Sequence, residues 1–484
     1  MLSSRPHTTM TTEYNGTTGV ADPGYSANVQ NLNIFYDTGN LTFLTISSVL
    51  VLLMIPGVGF FYSGLARRKS ALQLVLLSML SVGVIGFQWF FWGYSLTFSR
   101  TGNAFLGDLT QFGLMKTLAQ PNGSSALPDI LFCLYQGMFA SITPALAIGA
   151  VADRGRMLPA IVFMFVWSTV VYDPIAYWTW NANGWLFKLP AYDFAGGGPV
   201  HIASGSCALA YSLMLGKRAG YSHNAGLPYR PHSVTNVVLG TVFLWVGWFG
   251  FNGGSALAMN LRAVMACYVT NLAASCAGIT WALLDYRLER KWSTIGFCSG
   301  AITGLVAITP AAGFVTPWAA VIIGVVGAIC CNFATKLKFL IGVDDALDIF
   351  AVHGIGGMVG NILTGIFGTS TIASLDGNAY DAIGWVQHHW VQLGYQLAGI
   401  CAAFGWSFVL TCIILFLMNL VPGLSLRVSA DDEDVGIDDC QLGEFAYDYV
   451  ELRRHVADAV GSGSDRVASS SSSTAGEKAV PMGV

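Results

Sequence analysis

The sequence predicts an all-α integral membrane protein of about eleven transmembrane helices, on three observations: its composition, the spacing of its long apolar runs and the alternation of its basic loops. Of 484 residues, 54% are apolar and 10% charged, with a mean hydropathy of +0.57. Soluble domains run near one quarter charged. A core of this makeup has too little polar surface to cover itself in water, so lipid is its natural solvent. The net charge of −4 and the lack of a basic patch interleaved with aromatics argue against nucleic acid as a partner. Every cysteine but Cys440 lies inside an apolar run, which reads as small buried hydrophobes and not as a disulfide framework or a zinc site.

Hydropathy places the spans at 43–66, 71–98, 129–152, 158–180, 199–216, 234–256, 262–284, 294–309, 316–335, 349–369 and 393–421. Most hold the roughly 20 apolar residues needed to cross about 30 Å of hydrocarbon. The fifth and eighth are short and rich in Gly and Ser. The first 40 residues are polar and do not read as a signal peptide, so the first membrane helix is expected to target the chain.

Basic residues set the orientation. Alternate loops carry Arg67, Arg68 and Lys69; Arg154 and Arg156; Lys217, Arg218 and Arg230; Arg287, Arg290 and Lys291; Lys336 and Lys338. The remaining loops carry Arg100, Lys116, Lys188 and Arg262. The richer set is cytoplasmic under the positive-inside rule. With an odd number of spans, the N-terminus is then outside and the C-terminus inside. Sequons at Asn15, Asn40 and Asn122 all fall on the outer side, with Asn15 the candidate N-glycosylation site.

Three regions follow: an extracellular segment 1–42, a transmembrane domain 43–421 and a cytoplasmic regulatory tail 422–484. The tail opens with an acidic block around Asp431–Asp439 and ends in a serine-rich run with nothing to bury, expected to be disordered. Ser462 and Ser464 follow Arg453 and Arg454 and are candidate sites for a kinase acting on the tail.

An internal repeat organises the membrane part. Asp193 precedes Val200-His201 by the interval that separates Asp345 from Val352-His353. Five helices lie between the two copies, so they enter the membrane from opposite sides. This is a five-plus-five inverted repeat with one additional helix, and it puts a substrate site near the midplane between the halves. His201 and His353 are the histidines set deep in apolar sequence, where ionisable groups face a cavity or each other. Two separate packing histidines are the bland alternative. A metal pair lacks a third ligand of suitable spacing, and no metal or other cofactor is called for. Aromatic residues supply a second signal: Tyr135 to Ala140 in the third span, Trp180 closing the fourth, and Trp248 to Ser255 in the sixth. Such residues commonly form interface belts. Here they coincide with small residues and a serine hydroxyl, a setting suited to a small cation that donates hydrogen bonds.

The stretches Tyr135–Ala140, Asp193–His201, Trp248–Ser255, Val343–Gly354, Phe60–Leu65 and Cys298–Ala301 resemble the motifs of the ammonium transporter, methylammonium permease and Rhesus family, over about residues 35 to 450. The serine-rich tail and the stretch 180–185 resemble its fungal permease branch. Some fungal members replace the first pore histidine with Glu, so His201 points to the high-affinity subtype.

The resemblance implies a homotrimer in the plasma membrane, each protomer with its own pore for ammonium and methylammonium. Trp180, Ser255, Phe139 and Tyr135 would form an outer recruitment site, with Asp193 behind it as support. Phe139 and Phe251 would form the pore gate, and His201 and His353 the pore histidines. The expected function is recruitment of NH4+ at the outer face, deprotonation, and conduction of NH3, with or without a separately relayed proton. Nitrogen uptake, with an additional sensing role, would follow. A gas channel for CO2 and NH3, or a non-transporting ammonium sensor, are the alternatives. No His-Glu-x-x-His, Gly-x-Ser-x-Gly or paired intramembrane aspartates suggest an enzyme.

Overall fold

A computed structural model describes residues 36–221 and 231–447. Helix appears at every predicted span. In chain order these are α1 (Thr38–Leu65), α2 (Arg68–Phe98), α3 (Asp129–Val151), α4 (157–180), α5 (a π turn Gly197–Ile202 running into Ala203–Leu215), α6 (Val234–Gly254), α7 (Leu261–Glu289), α8 (Thr294–Ile308), α9 (Pro317–Ile341), α10 (Phe350–Phe367) and α11 (Gln392–Leu420). A short antiparallel pair, β1 (Pro121–Asn122) and β2 (Ser124–Pro128), lies between α2 and α3.

Among the described residues, nine helices are long and apolar enough to cross a membrane. The exceptions are α5, broken by its π turn and rich in Gly, Ser and Ala, and α8, which has 15 residues. Outward-facing side chains are apolar and bare: Phe87, Val246, Ile279 and Phe416 are each 44–57% exposed. Exposed apolar surface on that scale is unfavourable in water and favourable against lipid. The chain is an all-α integral membrane protein.

Between such helices there is little hydrophobic driving force, so packing rests on close backbone approach at small residues. Along α1 and α6, a methyl group at Gly240 would sit 2.4 Å from the Phe61 nitrogen and 2.6 Å from the Gly57 carbonyl. Where α5 meets α10 the approach is tighter still: a methyl at Gly205 would lie 2.2 Å from the Gly354 nitrogen and 2.5 Å from its Cα. Gly205 is one turn past His201, and Gly354 directly follows His353. Glycine therefore lets the two histidine-bearing main chains touch.

The face carrying the basic loops is laced by ions. Arg218, after α5, donates to Asp153 at 2.8 Å and grips Asp344 with its Nε and Nη2, each at 2.8 Å. Arg67 reaches Asp153 at 3.3 Å, and Arg154 donates to the Asp344 carbonyl at 2.8 Å. Burial alone would raise the Asp344 carboxyl; the Arg218 bonds and charge outweigh it and hold the group below its usual range.

Composition sets the acidic stretch apart from the membrane part, but its described portion closes on this ionic frame. Within α12 (Ala430–Val435), Glu433 is buried, accepts from Arg427 at 2.7 Å and takes the Ala219 amide at 2.6 Å. Asp438 accepts the Leu72 and Gln73 amides at 2.9 and 2.8 Å, capping the start of α2 with a negative charge where the helix dipole favours one. Asn122 turns its amide inward, donating to Tyr94, Asp129 and the Phe98 carbonyl. Asn15, Ser462 and Ser464 lie outside the described residues.

The glycine contact yields a test. Gly205→Ala forces α5 and α10 apart and should lower the melting midpoint of the purified protein by several degrees and abolish uptake. Gly83→Ala, on a part of α2 where an added methyl meets nothing within 4 Å, should behave as the parent. A Gly205→Ala protein with parental stability and uptake would refute the contact.

Candidate functional site

Both copies of the Asp-to-His interval build the same device. Asp193 folds its carboxylate over the start of α5, where Oδ1 accepts the Gly196 and Gly197 amides at 2.8 and 2.7 Å and Oδ2 accepts that of Gly198 at 2.6 Å. Asp345 does likewise at α10, accepting the Phe350 amide at 2.8 Å. In each copy the histidine sits in a π turn, Gly197–Ile202 or Phe350–Ile355. Such widened turns recur at functional positions, since they displace a side chain from the regular helical face. Burial raises the Asp193 carboxyl, with the three glycine amides opposing. Burial, with Asp348 beside it, pushes Asp345 up to about 6 against the pull of Lys338.

The two turns bring the imidazoles together. His353 Nδ1 and His201 Nδ1 are 3.2 Å apart, with ring centroids at 5.3 Å and planes inclined by 26°. A contact between two Nδ1 atoms needs one donor and one acceptor, so each ring dictates the tautomer of the other. His201 Nε2 is buried and has no hydrogen-bond partner among the described residues.

Rings continue from the pair toward the face opposite the ionic frame. Trp248 stacks on His201 at 5.4 Å and is itself held by Nε1 donating to Thr309 at 2.9 Å. Phe251 lies 6.1 Å from His201, and Phe139 stacks on Phe251 at 4.1 Å. The side chains of Phe139, Phe251, Trp248 and His201 are all at most 1% exposed. Trp180 meets the edge of Phe139 at 6.0 Å, half-buried, and its Nε1 donates to the Asp193 carbonyl at 3.1 Å. Tyr135 packs on Phe139 at 4.9 Å, and its hydroxyl lies 3.3 Å from Ser255 Oγ.

On the other side of the pair, a cavity of about 320 Å³ begins at His353 and reaches Arg218, Asp344, Lys338 and Asp348 at the ionic face. Lys338 and Asp348 pair at 2.7 Å. The architecture is a largely apolar cavity with a charged rim, a histidine pair, a sealed aromatic plug and a half-exposed indole, in that order.

Seven residues singled out in the sequence (Tyr135, Phe139, Trp180, His201, Phe251, Ser255 and His353) thus form one continuous column, with Asp193 beneath Trp180. Thr309 and the π turns carried no sequence signal. Trp248 had one: it stands one turn before Phe251, on the same helical face.

A narrow file of rings and imidazoles threading a helical membrane body is the arrangement of a channel or transporter for a small solute. The chain belongs to the Ammonium Transporter Family, whose model matches residues 42–447. It is 61% identical over 422 residues to ammonium transporter 1 of Schizosaccharomyces pombe, covering 87% of this chain and 84% of that one. The crystal structure of Saccharomyces cerevisiae Mep2 superposes with a TM-score of 0.80 at 51% identity, over 84% of this chain and 91% of the other. A structure described as a sensor Amt protein matches at a TM-score of 0.75 and 28% identity, over 83% and 97%.

The two aspartates should respond differently. Asp193→Asn turns an amide NH2 against one of its three amide donors and should destabilise by about 1–3 kcal/mol, the cost of unsatisfied buried groups. Asp345→Asn mimics the protonated acid and should be milder. Because the folded state holds the Asp345 proton more tightly than the unfolded chain, its contribution to stability is greatest below about pH 4 and is lost as pH rises through about 6. Asp345→Asn should remove that component from a melting-midpoint series over pH 4–7; an unchanged slope would refute it.

Proposed function

We infer that this protein is an ammonium transporter or channel. The observation that carries the reading is the dry column from Trp180 through Phe139 and Phe251 to the His201–His353 pair, in a chain 61% identical to a protein bearing that name. Its relatives carry transporter names, which accords with a non-enzyme.

NH4+ is recruited at the outer mouth by the Trp180 face and by oxygen lone pairs of Ser255. A cation over an aromatic face gains about 0.5–2 kcal/mol. Carrying the bare ion onward would cost on the order of 20 kcal/mol by an idealised Born estimate. Stacked rings cannot offset that. Release of the proton to water at the outer mouth, beside the part-buried Asp193 at the base of Trp180, lets neutral NH3 pass Phe139 and Phe251. His201 Nε2, which lacks a partner among the described residues, is positioned to accept a hydrogen bond from it or to donate one, and the shared Nδ1 contact offers a relay for the proton. Beyond His353 the cavity leads the product to the charged rim of Arg218, Lys338, Asp344 and Asp348, where it meets water. A CO2 channel would need neither Trp180 nor Ser255.

The topology that fits this direction has eleven crossings, the N-terminus outside and the basic, ion-laced face in the cytoplasm of a plasma-membrane homotrimer. A sensing role accompanies transport; the docked acidic stretch and the likeness to a sensor Amt protein favour it.

Two measurements test the reading. In proteoliposomes, His353→Ala should reduce ammonium-competable methylammonium uptake at least tenfold or abolish exclusion of K+. His201→Ala/His353→Ala should be far from additive, since the second change removes a ring that has lost its partner. Parental uptake and K+ exclusion in His353→Ala would make the histidines mere packing. For topology, a reporter after Lys338 should read cytoplasmic and one near Asn122 external; the reverse at either position would overturn the scheme.

A further inference from the structure

We propose that the Tyr135 hydroxyl is a latch that holds the two gate rings in register and keeps the Ser255 oxygen turned to the outer mouth as an acceptor. The inference rests on the reading of Phe139 and Phe251 as the gate and of Ser255 as a recruiting group.

Tyr135 is wholly buried on α3, one turn from Phe139. Its hydroxyl crosses to α6 and meets the backbone of the opposing gate residue: the Phe251 carbonyl at 2.7 Å and the Gly250 carbonyl at 3.0 Å. One hydrogen bond therefore ties the helix that carries Phe139 to the main-chain unit that carries Phe251. The slot for that oxygen is built into the sequence, because a methyl group at Gly254 would lie 2.6 Å from it.

The same carbonyl also receives the Ser255 hydroxyl, at 2.9 Å. A carbonyl oxygen offers two lone pairs, enough to accept both hydroxyls. The other group near Ser255 Oγ is the Tyr135 oxygen itself, at 3.3 Å. Both of these acceptors for the Ser255 proton lie on the protein side, which leaves the serine lone pairs for a ligand. Ammonium has only donors to offer. A serine free to swing its proton outward would present the wrong end to it. Tyr135, with no exposure to the mouth, acts through Ser255 and Phe251 and is a positioning residue.

Tyr135→Phe removes the latch and keeps the ring. In proteoliposomes of the full-length protein, it should raise the methylammonium concentration giving half-maximal uptake about three- to tenfold, the worth of one hydrogen bond. It should also open a K+ leak while the melting midpoint stays within a few degrees of the parent. Ser255→Ala should raise half-saturation without the leak. Gly254→Ala, which fills the slot, should reproduce the Tyr135→Phe pair of effects and serves as the test should Tyr135→Phe fail to assemble. Parental half-saturation and K+ exclusion in Tyr135→Phe, with Ser255→Ala still impaired, would overturn the latch and leave the outer site standing. If Ser255→Ala and Phe251→Ala also match the parent, the outer-site reading itself fails and takes the latch with it.

Discussion

Two imidazoles buried among apolar side chains satisfy one another across 3.2 Å, and most of the molecule can be understood as what that contact demands. A buried polar group without a partner is costly, so each histidine needs the other. For the rings to meet, two helices from opposite halves must approach until their backbones touch, which Gly205 and Gly354 allow. The side chains must also leave the ordinary helical face, which the paired π turns achieve, and each turn must be held at its start, which Asp193 and Asp345 do with accepted amides. The repeat is therefore more than a topological echo. It supplies each half with the same cap, the same widened turn and the same ring.

Around that contact the two ends of the column differ. Toward Trp180 the column is packed ring on ring, with Phe139 and Phe251 stacked at 4.1 Å. Toward Lys338 it opens into a cavity bordered by fixed charges. Arg218 anchors that rim by bridging Asp153 and Asp344, which come from different loops, and the acidic α12 region is fastened to the adjoining segment through the Ala219 amide. Bidentate guanidinium geometry suits this role better than a lysine would, since one planar group satisfies two carboxylates at once. Changes in the docking of the acidic stretch thus bear on loops that also line the cavity.

Much of this was legible before any coordinates. Long apolar runs with basic loops between them predicted the helices, and the equal Asp-to-His spacing predicted related halves, because burial patterns and repeats are written residue by residue. What stayed hidden depends on distance in three dimensions. No local pattern marks a π turn in Gly-Gly-Pro-Val-His-Ile or distinguishes Gly205 from the other 55 glycines of the chain. Trp248 gave a helical-face signal, but its hydrogen bond to Thr309, 61 residues away, did not. The acidic stretch was set apart by composition because several of its contacts, at Leu72, Gln73 and Ala219, are to backbone amides, which sequence charge cannot reveal.

The glycine-to-glycine contact carries a consequence for how such a protein ages under mutation and adapts to new lipids. Where two main chains abut, the approach of the two histidine-bearing helices is limited by van der Waals contact between backbone atoms and not by the rotamers of intervening side chains. The bare Phe87, Val246, Ile279 and Phe416 stand on α2, α6, α7 and α11, not on the two helices that make that contact. Bilayer thickness, sterol content and drift in the lipid-facing sequence can therefore change freely while the innermost chemistry keeps its dimensions. The periphery is open to variation because the centre leaves no slack to transmit it.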